Sequence, residues 1–235
     1  MLVLALDTTT RAGSAAVAKD GRVLDLLPGD PNRPHAERLP ADLVRSLDRA
    51  GATLRDVDVF AVAIGPGSFT GLRIGLSIAK GLVLATGIPL VAVPTLEALA
   101  SRSVKARKTE GLVLAAIDAR RDEVYCQLFE AVGEEVTPLG EPRDLAVDRL
   151  VDELGSERVL ITGDGRAKVM AGAAGGSVRL EEADAATALC SAADVARLGE
   201  HLARAGKTED PAQLEPRYIK EFFLNSAGRI GVKAR

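Results

Sequence analysis

Tryptophan is absent from this 235-residue chain, and all aromatics together make up only 3% of it. Its cores must therefore be packed from Leu, Val, Ile and Ala, and a hydrophobic content of 47% is enough for that. Cysteine is scarce too. Cys126 and Cys190 stand far apart with no C-x-x-C pair, so the sequence supports buried thiols rather than a disulfide framework or a zinc knuckle. Of the two histidines, His35 and His201, neither has a second histidine at ligand spacing, and there is no H-E-x-x-H. No serine sits in a glycine elbow, so a hydrolase triad is unsupported. Neither sign of charge dominates: 30 Lys and Arg against 33 Asp and Glu leave −3, without the basic surplus of a chain that binds nucleic acid by itself. Met1–Asp7 lacks a basic leader and reads as a strand, not a signal peptide. The longest apolar helical run, 69–88, carries Arg73 and Lys80 and reads as a core helix rather than a membrane span. A cytoplasmic location is the expectation.

What is present is an alternation of short strands and helices. Leu2–Leu6 is a continuous apolar run, the pattern of a buried strand, and it ends in Asp7-Thr8-Thr9-Thr10. Strands are predicted at 13–18 and 22–27 around the turn Asp20-Gly21. Leu39, Leu43 and Leu47 recur every four residues on a helix that Gly51 ends. A strand at 57–64 runs into Gly65-Pro66-Gly67-Ser68, and a helix follows over 69–85, stopped by Gly87. A strand at 89–93 and a helix starting near Thr95 complete a first lobe. The composition changes at 101–110, where Lys105, Arg107 and Lys108 cluster, and the lobe boundary is placed at 103/104. The second lobe, 104–225, restarts the first: Leu112–Asp118 parallels Leu2–Asp7, and strands at 123–130 and 136–139 follow. Helices near 145–154 and 186–205 flank a strand at 159–162, and 226–235 is expected to be a flexible tail. The fold class is therefore α/β, in two lobes that each open with an antiparallel three-strand meander. In such a pair, Asp7 and Asp118 stand at the floor of a shared cleft. There each could hold a metal or act as a base, or simply bond the amides of its own turn.

The segment G-P-G-S-F-T-G-L-R at 65–73 is the most specific feature. A glycine turn at a helix N-terminus suits anions, yet the G-K-[S/T] of a phosphate loop is missing, so anion binding and plain tight-turn structure stay open. Gly71, Gly75 and Ala79 recur at four-residue spacing on the helix that follows. Each helical glycine costs about 1 kcal/mol relative to alanine, so another backbone must come close: this lobe's own sheet or a helix of another chain. Gly163-Asp164-Gly165 is a second, weaker glycine turn.

In combination these segments resemble the bacterial TsaB (YeaZ) family, which serves in making threonylcarbamoyladenosine in tRNA. The resemblance is carried by L-A-L-D-T-T-T at 4–10, H-A-E-R-L at 35–39, the 65–75 segment, K-G-L at 80–82 and I-P-L-V-A-V-P-T-L-E-A-L-A at 88–100. It continues in D-A-R-R-D-E-V-Y at 118–125, T-G-D-G at 162–165 and P-R-Y-I-K at 216–220. It implies an actin-like (ASKHA, duplicated ribonuclease-H-like) fold. It also implies a non-catalytic role, because the two metal-binding histidines of the catalytic relative, TsaD, fall on Thr95 and Leu99. The implied partners are a TsaD-type transferase, a TsaE-type ATPase in the complex, and a second copy when the chain is alone. Contact with tRNA would be indirect, and no membrane is involved. The implied partner surface is the pair of first-lobe helices, with His35, Arg38, Leu39, Asp42, Arg45, Phe69, Leu72, Arg73 and Leu76. A vestigial or weak nucleotide loop would comprise Asp7, Thr8, Thr9, Gly65, Gly67, Thr70, Gly163 and Gly165. No catalytic residue, metal or required cofactor is implied, and ATP or ADP would bind weakly or only in the complex. The competing readings are an actin-like ATPase or small-molecule kinase using its own cleft, and a homodimeric interaction protein.

Overall fold

The computed structural model describes residues 1–219, 221–224 and 230–233, the last two stretches as backbone. In chain order the elements are β1 (Leu2–Asp7), β2 (Ser14–Lys19), β3 (Arg22–Pro28), α1 (His35–Arg49), β4 (Val59–Gly65), α2 (Phe69–Thr86), β5 (Leu90–Pro94) and α3 (Thr95–Arg107). Then come β6 (Gly111–Asp118), β7 (Glu123–Val132), β8 (Glu135–Pro138), β9 (Arg143–Ala146), α4 (Val147–Leu154), β10 (Arg158–Thr162) and α5 (Arg166–Gly172). The chain ends with β11 (Arg179–Glu182), α6 (Ala192–Arg204), β12 (Glu221–Leu224) and β13 (Ile230–Lys233).

Two compact units result: Met1–Leu99 with Leu189–Arg217, and Ala100–Ala188 with the chain from Tyr218 on. The first contains a five-stranded sheet in the order β3-β2-β1-β4-β5. Its β1–β2–β3 meander is antiparallel, whereas β4 and β5 run parallel to β1. Leu2, Leu4 and Leu6 of β1, with Phe60 and Val62 of β4, point to one face. There they meet Leu39, Leu43 and Leu47 of α1 and Leu76, Ala79 and Val83 of α2. The every-fourth-residue stripe of α1 thus lies on the sheet, as its spacing predicts. Gly87, in the left-handed region, ends α2.

The second unit repeats the plan. β6, β7 and β8 form an antiparallel meander, β10 and β11 add in parallel on the other side of β6, and β9 pairs with β7. Leu114, Ala116, Val124, Val159 and Ile161 pack with Leu150 and Leu154 of α4 and Val169 of α5. Both cysteines are buried thiols, and burial pushes Cys126 up to about 12.

Three features depart from the reading of the sequence. First, α6 does not belong to a 104–225 lobe; it packs on the first unit's sheet. Every residue of β1 is buried, so both of its faces need cover, and α1 and α2 supply only one. Gly199 of α6 lies directly over Ala61 on the other face, with Val93 beside it. Second, β9, α5 and β11 were not foreseen, because Arg-Asp-Leu-Ala and Arg-Leu-Glu-Glu show no apolar run. Third, within the expected tail, Ile230–Lys233 pairs antiparallel with Glu221–Leu224, while 226–229 and 234–235 lie outside the described residues.

Candidate functional site: the turn after β1 and the helices it seats

β1 delivers Asp7 and Thr8 fully buried at its end. Asp7 Oδ1 accepts from the Thr9 amide at 2.9 Å and the Thr9 hydroxyl at 2.6 Å, so the carboxylate closes its own turn. Its Oδ2 and the Thr8 hydroxyl have no hydrogen-bond partner among the described residues. Burial pushes the Asp7 carboxyl up to about 6, against the two Thr9 bonds, with Asp194 adding to the rise. The sequence offered either an exposed carboxylate or a turn former at this position, and the structure gives the turn former.

The same turn seats α2. The Ser68 amide donates to the Thr9 carbonyl at 2.8 Å, and the Ser68 hydroxyl caps the helix by accepting from the Gly71 amide at 3.2 Å. Gly71 and Gly75 lie against Thr8 so closely that a Cβ at either would overlap its atoms. The glycine stripe therefore answers an approach within the unit, not a helix of another chain. Gly65, joined to Pro66 by a cis peptide, faces the Arg217 carbonyl, and the Arg217 amide donates to the Ile64 carbonyl at 2.7 Å. A carbonyl oxygen beside the turn disfavours an anion there. Gly67 abuts Thr9, and Thr70 is exposed.

The second glycine turn is filled in the same way. Gly163 and Gly165 pack on the backbone at Ala116 and Ile117, and Asp164 Oδ1 accepts from the Asp118 amide at 3.0 Å. Asp118 in turn accepts from the Arg120 amide at 2.7 Å and from Lys168 Nζ at 2.6 Å. Burial raises its pKa, but Lys168 and the Arg120 amide outweigh that and hold it below the usual carboxylate value. Its charge is thus paired rather than merely solvated.

The expected partner-binding residues divide sharply. Leu39, Leu72 and Leu76 are core residues. Arg38 and Asp42 form a buried ion pair at 2.5 Å. None of these five is presented to a partner, because all lie on the faces that α1 and α2 turn inward. Arg45 and Arg73 are exposed, His35 and Phe69 half-buried, and the Arg73 guanidinium sits 4.1 Å above the Phe69 ring. The outward apolar residues are ones the motifs did not single out: Val44 of α1, 53% exposed, and Leu84 of α2, 74% exposed. The available signal was their position off the buried stripes. α2 is long and apolar enough to cross a membrane by length and composition, yet its glycine face is fixed to Thr8 within the α/β unit.

Thr95 and Leu99 are both buried, and among the described residues no group of three or more His, Cys, Asp or Glu is placed to hold a metal. Glu97, between them, is raised by burial against the pull of Lys207, His201 and Arg217.

Two units, each a meander continued by parallel strands and helices, define a two-lobed protein of the actin-like ATPase fold class. At 15% identity, the ROK hexokinase of Thermus thermophilus shares this fold at a TM-score of 0.51, covering 88% of this chain and all of that one. The family described as TsaD, tRNA N6-adenosine threonylcarbamoyltransferase, matches residues 23–215. A relative from Escherichia coli K12, named tRNA threonylcarbamoyladenosine biosynthesis protein TsaB, is 33% identical over 94% of this chain and 95% of its own length. The structure of YeaZ from Pseudomonas aeruginosa superposes at a TM-score of 0.78 with 32% identity, covering 92% of this chain and 99% of that one. The chain belongs to the TsaB (YeaZ) family.

Proposed function

We propose that this chain is the non-catalytic subunit of the machinery that makes N6-threonylcarbamoyladenosine in tRNA, and that it binds and activates a TsaD-type transferase through α1 and α2. The observation that carries this is the uncovered apolar surface of the two helices. Only six of the 18 residues of α2 are buried, although the helix is apolar, and Leu84 together with Val44 stands outside the core. Exposed apolar side chains on two adjoining helices suit a protein–protein contact. In this reading the same face pairs two copies when the transferase is absent, a TsaE-type ATPase joins the assembled complex, and tRNA is met only through the partner. No cofactor is required of this subunit, ATP or ADP binds weakly or at the assembled interface, and the protein works in the cytoplasm. The burial of Asp7 under Thr9 weighs against the alternative of an ATPase or kinase.

The test is reconstitution with the transferase. Leu84→Asp paired with Val44→Asp should leave the thermal midpoint of the isolated protein nearly unchanged, since both side chains are exposed. Transferase binding and its stimulation should fall at least about tenfold, the ratio that 1.4 kcal/mol of lost contact gives. Full stimulation by the double variant, or full turnover without this chain, would refute the proposal.

A further inference from the structure

α1 starts without a side-chain cap: Pro34 precedes it and bonds none of its first amides through a side chain. Its first turn is held instead by contacts to the loop after β1. The His35 ring lies on Gly13, with Nε2 3.1 Å from the Thr10 carbonyl. Arg38, one turn on, donates to the Ala12 carbonyl and places Nη2 3.4 Å from His35 Nδ1, while Nη1 donates to Asp42 at 2.5 Å.

Together these contacts require one protonation state. Nε2 must carry the hydrogen to meet a carbonyl, and Nδ1 must offer a lone pair to face a guanidinium. A proton on Nδ1 would set a charged N–H against Arg38 in a half-buried place. The charges around the ring are few. Arg38 faces it from α1 with Asp42 behind, and Glu37 on the same turn is exposed. Arg11 of the loop is turned to the Pro31 carbonyl, and Asp30 accepts from the Asn32 amide. Burial and Arg38 lower the His35 pKa, against the Thr10 carbonyl. The loop that receives His35 follows directly on Thr8 and Thr9, which seat α2. One stretch, 8–13, therefore sets the position of both helices.

We propose that His35, Arg38 and the Thr10–Gly13 loop form a proton-sensitive latch on α1. With His35 neutral, the first turn is closed on the loop and the α1–α2 face is ordered for a partner. Protonation releases the turn and weakens docking. This regulation rests on the docking role proposed above. The folded imidazole has a pKa below the ordinary 6.5, so the unfolded chain takes up the proton first. The latch contribution is complete above about pH 6.5 and is lost as pH falls from there through the folded value.

The experiment begins with the isolated protein. Amide hydrogen exchange of residues 37–39, corrected for intrinsic rates, is measured by NMR from pH 7.5 to 5.5 in the wild type and in His35→Gln, which keeps a donor toward Thr10 and does not titrate. First-turn protection should fall severalfold in the wild type as the pH drops below about 6.5, and stay constant in the variant. An equal response in both overturns the latch. So do separate midpoints for the wild-type His35 ring and its first-turn amides, a comparison that needs no variant to fold. Transferase binding is then measured across the same range. The wild type should lose affinity relative to His35→Gln; parallel curves overturn the link from latch to docking. If neither protein binds at any pH, the docking proposal fails while the exchange result still decides the latch.

Discussion

Asp7 makes the stability of this protein depend on pH in a direction opposite to that of most carboxylates. The group is wholly buried, and desolvation lifts its pKa from 3.8 to about 6. Between those values the folded chain holds a proton that the unfolded chain has lost, so stability falls as pH rises through the window. At about 1.4 kcal/mol per unit, the shift corresponds to about 3 kcal/mol lost between pH 4 and pH 7. Asp7→Asn keeps an oxygen to accept from the Thr9 amide and hydroxyl but cannot ionise. Its new amide donors have the unpartnered Thr8 hydroxyl nearby in the chain, so the gain should be smaller than the full shift, about 1–3 kcal/mol at pH 8. At pH 4 the two proteins should be about equally stable. Urea denaturation from pH 4 to pH 8, compared as the difference between the two proteins, isolates Asp7 from every other titrating group. A constant difference across that range, or a variant less stable at pH 8, refutes the reasoning.

Two further substitutions test the seating of the helices. Gly75→Ala raises helix propensity, yet it should destabilise by about 1–3 kcal/mol in urea denaturation, because the added methyl overlaps Thr8. A gain in stability would show that the close approach is slack. Arg38→Met removes a buried cation and leaves Asp42 to the exposed Arg45 at 3.6 Å, which should cost about 3 kcal/mol, recoverable in part by adding Asp42→Leu. Absence of that recovery would mean that Arg38 matters chiefly through the Ala12 carbonyl.

Much of the first unit is legible along the chain. The run Leu2–Leu6, the stripe Leu39-Leu43-Leu47 and the glycine that stops α2 each follow from a local rule, and each element stands within a few residues of its expected place. The site was less legible. The motif residues were visible as a set, but a motif does not say which way its side chains face. Arg38 and Asp42 read as surface charges on a polar helix; the structure buries them as a pair because they flank Leu39 and Leu43 on the inward side. Val44 and Leu84 carried no motif, yet they are large hydrophobics of α1 and α2 that the fold leaves exposed.

The sequence by itself determined the order of strands and helices from β1 to α3, the duplication that begins again at Leu112, and the family, because periodicity, turn residues and ordered motifs are properties of neighbours along the chain. Only the tertiary structure decided that α6 crosses back to cover the first sheet and that the glycines of α2 admit Thr8. Likewise, only folding turned the carboxylate at the end of β1 into a buried turn former. The physical reason is common to all three. Burial depends on what approaches from a distant part of the chain, and burial fixes both the room for a side chain and the energy of a charge.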